Sequence, residues 1–131
     1  MNQNYKEIIV WQKSVALTTD LYKLTSQFPD TERYGLISQI RRATTSIAAN
    51  IAEGWGRGSR GEYIQFLTVA RGSLMELETH LIVASNLHFL KTDEFDSVSK
   101  PVNDIEKMLN RLIAVLRSTR NAGHRTRETK V

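Results

Sequence analysis

The chain has 131 residues, 40% of them apolar, which fits one domain built around one hydrophobic core. It contains no cysteine, so disulfides and thiolate metal sites are excluded and a reducing compartment is the natural setting. The four-residue apolar run before Gln12 and Lys13 is too short for a signal peptide. No later segment has the roughly 18 uninterrupted apolar residues of a membrane span, so a cytoplasmic location is expected.

Net charge is +4, and its location matters more than its size. From Arg117 onward the chain holds Arg117, Arg120, Arg125, Arg127 and Lys130 against Glu128 alone, which leaves the preceding body neutral. Within that body the signs separate. Residues 33–71 carry six arginines against Glu53 and Glu62, and residues 73–106 carry seven acids against Lys91 and Lys100. Such a dipolar body can steer a polyanion to one side or pair charges between neighbouring helices.

Periodicity and punctuation predict four helices. Over 10–28, Val10, Leu17, Leu21, Leu24 and Phe28 form one helical stripe, which Pro29 ends because proline disfavours helical geometry in the residue before it. Asp30 or Thr31 is the expected cap of a second helix, with Leu36, Ile40, Ala43, Ile47 and Ile51 as its stripe and Gly54 as its stop. Ser59 and Glu62 form a capping-box pattern that opens a third helix. Its stripe is Leu67, Ala70, Leu74, Leu77, Leu81, Ala84 and His88.

Thr92 is the expected cap of a fourth helix, carrying Phe95, Val98, Val102, Ile105, Leu109, Leu112 and Leu116. Pro101 lies inside that pattern, so this helix either kinks there or begins at Ser99 or Lys100. Four helices joined by short loops pack most simply as an all-α, antiparallel, up-and-down four-helix bundle over residues 1–120. Residues 121–131 are expected to form a basic, disordered tail.

Two helices carry more apolar residues than one seam requires. Met75, Ile82 and Phe89 lie seven apart, one position beyond the seam of the third helix, and Ile8, Val15 and Tyr22 repeat the pattern in the first. They either broaden the core or form flanks buried between subunits of an oligomer.

Enzyme chemistry finds no support. His80, His88 and His124 lack metal-ligand spacing, and Glu76 with His80 is an i, i+4 pair, unlike the Glu-x-x-His of di-iron bundles. No cofactor or metal is expected. The glycine-rich run Gly54–Gly61 lacks the Gly-Lys-Ser/Thr ending of a phosphate loop and follows a helix, not a strand. Arg57, Arg60 and the first amides of the third helix nevertheless converge on a place that favours an anion, unless the loop is simply flexible with solvated arginines.

Gln39, Arg42, Ser46, Asn50 and Glu53 share a face of the second helix beside its apolar stripe, and Ser73, Glu76 and His80 answer on the third. Amide, guanidinium, hydroxyl and carboxylate groups so near the seam suggest a structural polar network that fixes helix register or subunit docking; a ligand site is the alternative. Arg42 is expected to pair with Glu76 or Glu53, since a partly buried guanidinium requires a carboxylate.

The same residues carry a resemblance. Phe28-Pro29, Glu32, Tyr34-Gly35-Leu36, Gln39, Arg41-Arg42-Ala43, Ser46-Ile47, Asn50-Ile51-Ala52-Glu53-Gly54 and Arg57 closely resemble the four-helix-bundle family of 23S rRNA intervening-sequence proteins. The likeness continues through Glu62-Tyr63, Phe66-Leu67, Ala70, Gly72-Ser73 and Glu76-Leu77, includes Val10-Trp11-Gln12-Lys13, and spans roughly residues 8–116. It implies a cytoplasmic bundle that assembles as a homopentamer, linked to genes within 23S rRNA insertions. It also implies kinship with the accessory proteins of diversity-generating retroelements, pentameric bundles that bind nucleic acid and a reverse transcriptase. No catalytic residues come with it.

The expected function is a non-enzymatic oligomeric scaffold that binds RNA or a nucleoprotein complex and no membrane. Arg41, Arg57, Arg60, Arg117 and Arg120 are the candidate phosphate contacts, with Trp55 available to stack on a base. The alternative is a protein-interaction module with no direct nucleic-acid contact.

Overall fold

A computed structural model describes residues 4–121 in backbone and residues 4–118 in side chains. The basic tail expected beyond Asn121 lies outside the described residues. Four α-helices, α1 (Ile9–Thr25), α2 (Leu36–Gly56), α3 (Arg60–Asn86) and α4 (Thr92–Asn121), are accompanied by two 3-10 turns at Tyr5–Glu7 and Asp30–Glu32. There is no strand among the described residues.

Helix α1 packs on α2 and α4, and α3 packs on α2 and α4, while the backbones of the diagonal pairs stay apart among the described residues. This is the closed ring of a four-helix bundle. Leu17, Leu21, Ile40, Ile47, Ile51, Leu74, Leu77, Ile105 and Leu109 are fully buried along its axis. The expected stripes therefore coincide with the core, apart from His88.

The buried polar side chains Ser14, Thr25 and Thr44 are all bonded. Ser14 donates to the Val10 carbonyl at 2.7 Å and Thr25 to that of Leu21 at 2.7 Å. The hydroxyls of Thr18 and Thr44 are hydrogen-bonded to each other across the α1–α2 seam at 2.9 Å.

Helix boundaries differ from expectation where local chemistry was misjudged. Asp30 and Thr31 do not cap α2; they lie in the 3-10 turn, and Gly35 occupies the N-cap position with no side-chain cap. Glu32 supplies the missing acceptor, taking the Leu36 amide at 3.2 Å. A Cβ on Gly35 would lie 2.9 Å from that carboxylate oxygen, so glycine leaves it room.

At the start of α3 Ser59 is the N-cap, as expected: its hydroxyl accepts from the Glu62 amide at 3.2 Å and donates to the Glu62 carboxylate at 3.0 Å. Pro101 neither begins nor ends α4, which starts at Thr92 and runs through it. Burial of Val98, Val102 and Ile105 anchors the helix on both sides of the missing amide.

His88 is the clearest departure. It lies beyond α3, exposed, in the left-handed region at φ 64°. Its amide donates to Ser85 at 3.0 Å and that of Phe89 to Ala84 at 2.9 Å, a Schellman ending that turns the chain sharply. The turn sends Leu90 into the core and brings Phe89 within 5.7 Å of Phe28, tying the α3–α4 turn to the α1–α2 connection.

The second apolar stripes divide. Ile8 is buried and Phe89 is half-buried against the core, so the bundle ends use them as a broader core. Val15 (37%), Tyr22 (41%), Met75 (36%) and Ile82 (45%) remain exposed, joined by Val69 and Val83 of α3 and by Leu87 just beyond it.

At Gly54, α2 comes so near α3 that a Cβ would lie 2.7 Å from that of Phe66 and 3.2 Å from the Tyr63 ring. Gly54→Ala should therefore destabilise the chain by about 1–3 kcal/mol through overpacking. By contrast Gly72, helical with nothing within 4 Å of an added Cβ, should gain about 0.5–1 kcal/mol on substitution by alanine. Urea titrations followed by circular dichroism distinguish the two signs.

Candidate functional site

The seven-residue repeat carries the polar strip along the α2–α3 seam, and the antiparallel register is set by two contacts. One is the Gly54 approach. The other is a hydroxyl pair, Ser46 to Ser73, at 2.8 Å. Asn50 joins this pair, donating to the Ser46 carbonyl at 2.8 Å and hydroxyl at 2.9 Å. Ser46, Asn50 and Ser73 thus form one half-buried cluster, as a register-fixing network requires.

The rest of the strip breaks into separate pairs. Arg42 is exposed and donates to Gln39, one turn back on its own helix. It pairs with neither expected carboxylate, because an exposed guanidinium is hydrated and needs none. Glu53 instead accepts from Arg57 at 3.0 Å, and Glu76 lies 3.6 Å from the Nε2 of His80. That nitrogen is buried and, at this distance, has no hydrogen-bond partner.

The expected nucleic-acid residues fall in two places. Trp55, Arg57 and Arg60 flank the α2–α3 turn, and Arg117 lies near the C-terminal end of α4, which the up-and-down topology brings to the same end of the bundle. Arg41 is some fourteen residues up α2 from Trp55, roughly 21 Å away along the axis at 1.5 Å per residue. The backbone of Arg120 is helical, and its side chain lies outside the described residues.

Most of these arginines are already engaged. Arg41 donates through Nε to the Thr25 hydroxyl and through a terminal nitrogen to the Tyr22 carbonyl, both at 3.0 Å. Its guanidinium stacks 4.5 Å from the Tyr22 ring centroid, so it fastens the end of α1 to α2. Arg57 bonds Glu53, lies 3.7 Å from Glu62 and covers the Phe66 ring at 4.9 Å. Arg60 also has an interaction partner, and Arg71 donates to Asn110 at 2.9 Å. Arg33, Arg111 and Arg117 are exposed and make no ion pair or side-chain hydrogen bond among the described residues.

Trp55 is half-buried and meets Tyr63 edge to face, with centroids 5.9 Å apart. The Tyr63 hydroxyl is buried without a hydrogen-bond partner, and burial pushes its pKa up from 10.0 to about 12. Sequence reading missed this group, since an aromatic in the first turn of a helix carries no sign of where its hydroxyl will end. Among the described residues no three His, Asp or Glu side chains converge on a metal-sized site, and no helix is long and apolar enough to cross a membrane.

A profile described as the 23S rRNA-intervening sequence protein family matches residues 6–111. The chain belongs to this family. Its fold is similar to a crystal structure from Bacteroides thetaiotaomicron, described as a protein of unknown function from the S23 ribosomal protein family. The two share 26% sequence identity at a TM-score of 0.73, over 81% of this chain and 96% of that one. Among curated proteins, nothing matches. The match of this intervening-sequence family member ends before Arg117, so its last candidate arginines lie beyond it.

Tyr63 yields a pH prediction. The fold holds the phenol neutral, so the unfolded chain loses its proton first, near pH 10, while the folded chain keeps it to about 12. The resulting stability is intact below pH 10 and is lost as pH rises towards 12. Tyr63→Phe should flatten this loss and, by removing an unsatisfied hydroxyl, should be neutral or up to about 1 kcal/mol stabilising at pH 7. Thermal melts of both proteins across that range provide the check.

Proposed function

We propose that this chain is a non-enzymatic scaffold that self-associates through its exposed apolar flanks and presents arginines to RNA or a nucleoprotein complex. The observation that carries the reading is the pair of apolar flanks left exposed, one on α1 (Val15 and Tyr22) and one on α3 (Met75 and Ile82). Val15, Tyr22, Met75 and Ile82 gain from burial at about 25 cal/mol per Å² of apolar surface, and a second subunit is the simplest cover. A homopentamer is the proposed assembly. Membership of a family named for 23S rRNA insertions supports RNA as the partner.

A second reading, a protein-docking ring without nucleic-acid contact, is favoured by the internal engagement of Arg41 and Arg57. An RNA phosphate would have to displace Glu53 and Glu62 from Arg57. Light scattering with native mass spectrometry, before and after nuclease treatment, addresses both readings. The expected mass is a multiple of 14.9 kDa, reduced to the monomer by Ile82→Glu or Tyr22→Glu. A wild-type monomer would sink the scaffold.

In gel shifts against a structured 23S rRNA fragment, affinity should fall roughly tenfold or more between 50 and 200 mM salt if about three phosphates are neutralised. No binding at low salt would leave only the protein-docking reading.

A further inference from the structure

The α1–α2 corner differs from the rest of the surface. Tyr34 is 88% exposed, more than any other large apolar or aromatic side chain among the described residues. Beside it in sequence stands Arg33, exposed and without a partner among them. Both lie in the connection between α1 and α2, beside an open cavity of about 380 Å³ that Arg33 helps to line.

The cavity wall is mixed. Phe28 and Ile37 give it an apolar side, Asp30 an unpaired carboxylate, and Arg33 and Arg41 two guanidiniums. Its volume lies in the lower part of the range typical of small-ligand pockets.

The corner is also braced by contacts. Glu32 holds the first amide of α2, Arg41 bolts α1 to α2, and Phe28 leans on Phe89 of the neighbouring turn.

A phosphate inside the cavity would face Asp30. A nucleobase is the better match: its ring can lie against Phe28 and Ile37, and its exocyclic amine can donate to the Asp30 carboxylate, as cytosine N4 does to acidic side chains. Arg33 then reaches the adjoining phosphate, and the Tyr34 ring offers a face to the next base.

We infer that the α1–α2 corner is a single-stranded RNA subsite, in which the cavity takes an amine-bearing base at Asp30 while Tyr34 stacks its neighbour and Arg33 pairs the phosphate. The inference rests on the RNA reading above but moves the contact away from Trp55 and Arg57 to the opposite end of the bundle.

The test is fluorescence anisotropy of the full chain with labelled oligo-cytidine and oligo-uridine RNAs, which differ at the amine but not in ring size. The wild type should prefer oligo-cytidine. Tyr34→Leu should weaken binding roughly fivefold or more, while Tyr34→Phe stays near wild type. Asp30→Asn, able to donate as well as accept, should erase the preference for cytidine.

Unchanged melting curves would show that these exposed substitutions leave the fold intact. If wild type binds RNA and Tyr34→Leu binds equally well, the subsite is wrong and the RNA reading stands. A change in native mass with Tyr34→Leu at unaltered RNA affinity would overturn it in favour of a protein contact. Binding of neither oligonucleotide nor structured rRNA would overturn both.

Discussion

The contact between α2 and α3 at Gly54 governs this fold. Two antiparallel helices can approach this closely only where one lacks a side chain, and the glycine brings α2 against Phe66 and Tyr63. The hydroxyl pair of Ser46 and Ser73 two turns away repeats the same register in polar form. A slip of either helix by one residue would clash at the first contact and unpair the second. With this seam in place, α1 and α4 close the ring on the opposite side, and Trp55 is directed onto Tyr63.

Arginine use follows from that geometry. The residues 33–71 that hold the six arginines fold into the α1–α2 connection, α2 and the first turns of α3, so several guanidiniums lie within reach of carbonyls, aromatic faces and carboxylates of the same structure. Arg41 serves as a clasp, and Arg57 sits between two carboxylates over a ring. Exposed ion pairs of this kind contribute little to stability, at about 0–1 kcal/mol each. Their larger effect is to lower the availability of the charge to an outside polyanion. A basic count therefore overstates the basic surface.

The two ends of the bundle differ in character for related reasons. One joins the α2–α3 turn to the end of α4, with Arg57 neutralised at its edge. The other is braced by Phe28 against Phe89, an arrangement that exists because His88 takes a left-handed conformation and reverses the chain. The connection at that end carries Tyr34 in solvent. The apolar flanks lie along α1 and α3, where Val15, Met75 and Ile82 stay exposed and Tyr22 is covered on one side by Arg41 of α2.

Helix number, the core stripes, the Ser59–Glu62 start of α3 and the Ser46–Asn50–Ser73 cluster were legible in the sequence, because each depends on spacing within a helix or on local capping. So was the family, carried by the run from Phe28 to Arg57. The start of α2 was not, since its acceptor comes from Glu32 and from the space beside Gly35. Nor was the ending of α3, where a histidine replaces the usual glycine. Which arginines are committed, which apolar flanks stay uncovered and where the Tyr63 hydroxyl ends were decided only in three dimensions. Periodicity assigns a side chain to a face, but partners on other helices decide whether that face is covered, neutralised or left open.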